Sequence, residues 1–292
     1  MNYFKEKMRI VSELRNFLKN NNFTEVHTPV LRRNSGQLIK RIKLEDKYMY
    51  SLRDSHELQL RWLLRQFESV FEIGSCFRFE TEEKSTTNIG EFLLMELFTS
   101  KFDLEQIKTL VKTFILLQRP LTKFEEISIA GYIKDHLGID LTNESQEILY
   151  SCLRKRYFDK LFENDYEYVL HYIEFEIEPL SKGKVVFFTD YPECTCSYAN
   201  IKCGNIISRF ELFADGLELA NGFDDECNAA RFALRNRDLP IFSNEEEIIA
   251  QTLEDGSLPA VSAGVGIGIE RLCMFILNIN DIRDLSFPSE VF

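Results

Sequence analysis

Residues 69–100, SVFEIGSCFRFETEEKSTTNIGEFLLMELFTS, decide how this chain folds. Two apolar runs alternate with period two on either side of a polar stretch, the spacing of two strands that pair antiparallel through a long loop. Upstream, Phe4, Met8, Ile10, Val11, Leu14, Phe17 and Leu18 recur at helical spacing until NNNF stops them. FTEVHTPVL (23–31) reads as extended, with Pro29 excluded from a central ladder position. A hairpin-like stretch through KYMYSLRD (47–54) follows. In SHELQLRWLLRQF (55–67), Ser55 can cap a helix whose apolar side is Leu58, Trp62, Leu63 and Phe67.

Downstream, DLEQIKTLVKTFILLQ (103–118) is a helix with Asp103 near its start, and residues 121–180 mix short helices with a charged, tyrosine-rich middle. KVVFFTDYP (184–192) reads as a strand, and ISRFELFADGLELANGF (207–223) as a hairpin turning at Asp215-Gly216. DECNAARFALRNRDLP and NEEEIIAQTLEDG are helical, SAGVGIGIERLCMFILN is glycine-rich, and a short strand is expected near IRDLSFP (282–288). The sum is an α+β fold, a mainly antiparallel sheet flanked by helices.

Composition narrows the function. With 45% hydrophobic residues and no apolar run of 18 or more, no membrane span is expected, and MNYFKEKMRI lacks the core of a signal peptide. A net charge of −12 argues against a broad nucleic-acid footprint but permits an ATP site built from a few arginines and Mg²⁺. RNSGQLIKRIK and CLRKRYFDK are the basic patches, read as solvated surface. Seven cysteines form no framework; Cys194, Cys196 and Cys203 in CTCSYANIKC raise structural zinc beside the reading as free cytosolic thiols. GVGIGIE places its glycines at 264, 266 and 268, which is not the dinucleotide pattern.

The hairpin sets Glu211, Glu218 and Asn221 in an apolar run. Alternation can hold Glu211, Phe213, Glu218 and Ala220 on defined faces. Two such carboxylates could share Mg²⁺ with phosphate, or could mark only the wet face of a strand.

Three ordered segments together resemble the catalytic domain of a class II aminoacyl-tRNA synthetase: FTEVHTPVL its first motif, FEIGSCFRFETEEKSTTNIGEFLLMELF its second, and GVGIGIERLCMFIL its third. The hairpin RFELFADGLELANGF resembles the lysyl branch, and the early start of the catalytic region makes the chain most similar to the shortened paralogue family that modifies elongation factor P. The resemblance implies one catalytic domain over 1–292, with a helical insert at about 121–180 and no anticodon-binding domain. It implies a cytoplasmic homodimer with Pro29 near its interface.

The same resemblance implies residue roles. Arg78 would contact the α-phosphate of ATP and Arg271 the γ-phosphate. Glu80 would read the adenine side, Phe92 would stack on the base, and Glu211 with Glu218 would hold Mg²⁺. Glu57, Glu96, Phe98, Asn221, Phe223 and Asp225 match amino-acid pocket positions. Two depart from the family: Phe98 replaces a tyrosine, and Asp225 replaces a glutamate one methylene longer. The second-motif loop TEEKSTTNIG is longer than in the paralogue family, lacks its histidine, and has Lys84 as its one strong cation. The implied function is ATP-dependent activation of lysine or a lysine-like amino acid such as β-lysine, then transfer to a lysine of a protein such as elongation factor P. The alternatives are transfer to tRNA or a small amine, and a non-catalytic regulatory paralogue.

Overall fold

The alternation at 69–100 yields the expected strand pair. A computed structural model describes residues 3–33, 42–43, 50–78, 85–236 and 244–285. In chain order these form α1 (Tyr3–Asn20), β1 (Thr24–Glu25), β2 (Leu31–Arg33), β3 (Tyr50–Leu52), α2 (Glu57–Leu63), β4 (Ser69–Phe77), β5 (Glu91–Thr99) and α3 (Leu104–Gln118). Next come β6 (Phe124–Ser128), α4 (Ile129–Leu137), α5 (Gln146–Arg156), α6 (Asp165–Tyr172), β7 (Val185–Pro192), β8 (Ile201–Cys203), β9 (Ile206–Ala214) and β10 (Leu217–Asp224). The chain then adds α7 (Ala229–Asn236), α8 (Asn244–Glu254), β11 (Ala263–Gly268) and α9 (Ile269–Leu277). It divides into two compact units, residues 1–120 with 227–292, and residues 121–226.

In the first unit β4 and β5 pair antiparallel from Ser69 opposite Thr99 to Phe77 opposite Glu91. β11 adds antiparallel on the other side of β5, and β1 adds parallel to β4. β2 and β3 make a separate small pair. α1 buries Ile10, Val11, Leu14 and Leu18, the stripe its spacing predicts. Asp103 caps α3: it accepts from Gln106 N, while the Gln106 side chain accepts from Asp103 N.

The alternating glycines of β11 have a register reason. Gly264, Gly266 and Gly268 stand opposite Phe98, Glu96 and Leu94, so one face of β11 is bare beside the side chains of β5. A Cβ on Gly264 would come within 2.6 Å of the Phe98 ring.

In the second unit β6 runs parallel to β7, β7 antiparallel to β9, and β9 pairs with both β10 and β8. Ile133, Leu149, Val169, Tyr172 and Phe188 belong to its apolar core. After α6 the helix widens into a π-type turn, Ile173–Ile177, and then tightens at Glu178–Ser181, where Pro179 lies.

Some local expectations shift. α2 starts at Glu57 with His56 at its N-cap, while Ser55 Oγ accepts from Glu57 N at 3.0 Å. Ile282–Leu285 is a 3₁₀ turn rather than a strand, and residues 286–288 lie outside the described residues. Of the expected KYMYSLRD hairpin, 47–49 also lie outside; Tyr50–Leu52 pairs instead with Leu31–Arg33.

Candidate active site

Residues directly opposite in an antiparallel pair share a face, so Glu72 of β4, Glu96 of β5 and Gly266 of β11 form one row across the first unit. Two carboxylates side by side repel unless cations or donors intervene. Both are buried. Arg53 supplies the cation for Glu72: Nη1 donates to Glu72 Oε1 at 2.6 Å and Thr28 O at 3.1 Å, and Nε donates to Ser75 O at 2.7 Å. Thr28 N donates to Glu72 Oε2 at 2.8 Å. A Cβ on Gly74 would collide with Arg53 Nη2, so glycine there leaves room for the guanidinium.

His56, fully buried, lies between the two carboxylates. Its main-chain N–H donates to Glu96 Oε2 at 2.5 Å, and Nδ1 is 3.2 Å from the same oxygen. Its Nε2 is 3.6 Å from Glu72 Oε1. Glu57 opens α2 next in sequence and is half-buried. Phe98 is buried with its ring on Gly264, an apolar wall where a tyrosine would bring a hydroxyl.

Arg78, just beyond β4, is half-buried; Nε and Nη2 donate to Asp54 O at 3.4 and 3.3 Å, and its guanidinium stands 5.1 Å from the centre of the Phe92 ring. Arg78 N donates to Gly90 O at 2.9 Å. Arg271, in the first turn of α9, donates from Nε to Thr87 O at 3.2 Å and from Nη2 to Asn88 Oδ1. Arg271 therefore grips Thr87 and Asn88 of the second-motif loop, while Arg78 faces the Phe92 ring at the start of β5. Glu270 is not the partner of Arg271; it is buried, takes Lys7 Nζ at 2.9 Å and accepts from Leu93 N at 3.0 Å. Glu80 and Lys84 lie outside the described residues.

In the second unit a bulge corrects the expected alternation. Glu218 pairs with Phe213, Ala220 with Leu212 and Asn221 with Glu211. The extra residue, Leu219, brings Glu218 and Asn221 onto the face of Glu211 and sends Ala220 to the other. Glu211 is buried; Oε1 accepts from Arg209 Nη2 and Oε2 from Tyr191 Oη at 2.7 Å. Arg209 Nε also donates to Asn221 Oδ1 at 3.2 Å, and its guanidinium lies 4.5 Å from the Tyr191 ring centre. Phe223 packs into the apolar core of this unit, and buried Asp225 forms a bridge with Ala199.

Sequence reading passed over Glu178. Burial, then the Glu211 and Glu218 charges, push its carboxyl up to about 7. The folded chain therefore holds a proton that an unfolded chain releases near 4.5, and stability falls as pH rises between these values. Glu178→Gln removes that penalty, so without Mg²⁺ its melting temperature should gain on the parent's from pH 5 to pH 8. A pH-independent difference would contradict this assignment.

His56, Arg53 and Arg209 were also passed over. Arg209 had a signal, lying two residues before Glu211 on one strand face; His56 and Arg53 had none, since their partners are distant in sequence. Among the described residues no three His, Cys, Asp or Glu side chains form a metal-ligand group, Cys194 included. Burial holds the Cys194 thiol up at about 12. No helix among them is long and apolar enough to cross a membrane.

A family model described as tRNA synthetases class II (D, K and N) matches residues 1–290. The chain is 29% identical to a lysine–tRNA ligase of Thermosipho africanus (strain TCF52B), over 99% of the chain and 63% of that protein. It is 29% identical to the lysine–tRNA ligase of Mycoplasma genitalium, covering 97% of the chain and 64% of that protein. It is 30% identical to one from Prochlorococcus marinus (strain MIT 9515), covering 98% and 62%. The chain thus spans a little under two thirds of the length of these curated relatives.

Proposed function

This chain belongs to the class II tRNA synthetases of the D, K and N group, and we propose that it activates lysine with ATP. The lysine carboxylate attacks the α-phosphorus of ATP, lysyl-adenylate forms and pyrophosphate leaves. The observation that carries this reading is the first unit's pairing of two loop-anchored arginines, Arg78 and Arg271, with a buried carboxylate at Glu96. The arginines would meet phosphoryl charge, Phe92 the adenine ring and Glu96 the distal ammonium of lysine. Glu57 would meet the other ammonium. Phe98 brings no hydroxyl to the distal amine where the family has a tyrosine, so a lysine-like amine stays within the reading.

In the second unit Glu211 and Glu218 would hold Mg²⁺. Their hard oxygens share one face. Bound Mg²⁺ neutralises phosphate oxygens. Arg209 and Tyr191 keep the Glu211 carboxylate aimed, and Arg209 ties Asn221 to it.

For the acceptor, the relatives' names favour tRNA over the protein lysine that sequence reading preferred; no finding singles out the protein-modifying branch. A homodimer would cover the exposed Pro29, Val30 and Leu31. The experiment supplies labelled lysine, ATP and Mg²⁺ with lysine tRNA or elongation factor P. Label on tRNA is the expected result; label on the protein alone would restore the other acceptor.

A further inference from the structure

We propose that His56 aims Glu96 at the distal amine of the substrate and sets how strictly that amine is selected, an inference that rests on the lysine-activating reading of this site. Glu96 is a buried carboxylate, yet among the described residues no Lys or Arg is placed against it; its ion-pair partner is the His56 ring. Glu72, directly opposite, has Arg53. A buried carboxylate without a full counter-charge is costly. A ligand ammonium would supply what Arg53 supplies to Glu72.

The direction of approach follows from which oxygen is occupied. Both His56 donors converge on Oε2, one from the main chain at 2.5 Å and one from the ring at 3.2 Å. In the tautomer with its proton on Nδ1, the ring donates to that oxygen. Oε1, which neither His56 nitrogen takes, lies with Cγ 3.4 Å from where a Cβ on Gly266 would stand, so glycine leaves that side of the carboxylate bare. The ammonium therefore has Oε1 as its acceptor. Phe98 lies on the same strand face and contributes a ring without a hydroxyl. Control of the distal amine thus falls on Glu96, and the aim of Glu96 on His56. The row behind it, Glu72 and Arg53, reaches Thr28 beside Pro29 and keeps the imidazole from turning.

His56→Ala keeps the main-chain donor and removes the ring. Lysine-dependent ATP–pyrophosphate exchange should show KM for lysine raised about tenfold or more. KM for ATP and kcat should stay within about threefold, on the order of 0.7 kcal/mol or less. Preference for lysine over norleucine, which lacks the distal amine, should shrink by a similar factor. His56→Asn, whose amide can donate to Glu96, should recover most of both. If His56→Ala does not fold, His56→Leu fills the space without a donor and takes its place. An unchanged lysine KM and preference would overturn the proposal, as would a parallel loss in kcat and ATP affinity that Asn does not rescue. Wild-type exchange in the same assay reads the parent activity separately. Should that be absent, calorimetry with lysine, ornithine and norleucine decides: amine binding weakened by His56→Ala supports the role, and binding that is absent or insensitive overturns it.

Discussion

Arg78→Ala should lower amino-acid-dependent ATP–pyrophosphate exchange by about 10²–10³-fold, the usual cost of removing one preorganised donor from a transition state that gathers charge. The guanidinium is half-buried against the Phe92 ring and touches Asp54 O, its one carbonyl partner among the described residues, at 3.3–3.4 Å. Those long contacts position the group without consuming its donors, so stability should change little. Arg78→Lys should not rescue, because a point ammonium cannot reproduce a planar fork stacked on an aromatic ring. A loss in rate below tenfold would place phosphate binding elsewhere.

Arg53→Ala should destabilise the first unit by about 3–5 kcal/mol, the cost of leaving a buried carboxylate without its partner. Glu72 is buried beside Glu96, and the Arg53 guanidinium is the cation bonded to it. Losing it also strands Ser75 O and Thr28 O. Arg53→Met combined with Glu72→Leu should recover much of the loss, since the pair is then removed together. Trp62 in α2 is the chain's single tryptophan, so urea unfolding followed by its fluorescence reports on this unit. A double variant as unstable as the single one would show that the packing of the arginine, rather than its charge, matters.

How much of this was legible beforehand follows from the range of each signal. Period-two alternation is local, so the β4–β5 pair and the β9–β10 hairpin were readable as strands, whereas β11 read only as glycine-rich. Helical stripes and the Asp103 cap are local too. The bulge at Leu219 was not: it depends on how two strands settle against each other, and it moved Ala220 off the face that simple alternation predicts. The spacing of the three β11 glycines was visible in the sequence. Its reason, a bare face opposite Leu94, Glu96 and Phe98, required the partner strand. Likewise the motifs offered Glu96 and Arg78 as candidates, while His56, Arg53 and Glu178 have partners that only folding brings near.

ATP–pyrophosphate exchange, measured with lysine, with the other amino acids, and with Mg²⁺ present or chelated, decides whether this chain activates lysine. Exchange that depends on lysine or a lysine-like amine and on Mg²⁺, and collapses in Arg78→Ala, is the predicted result. Folded protein that binds ATP yet exchanges pyrophosphate with none of the amino acids would contradict it.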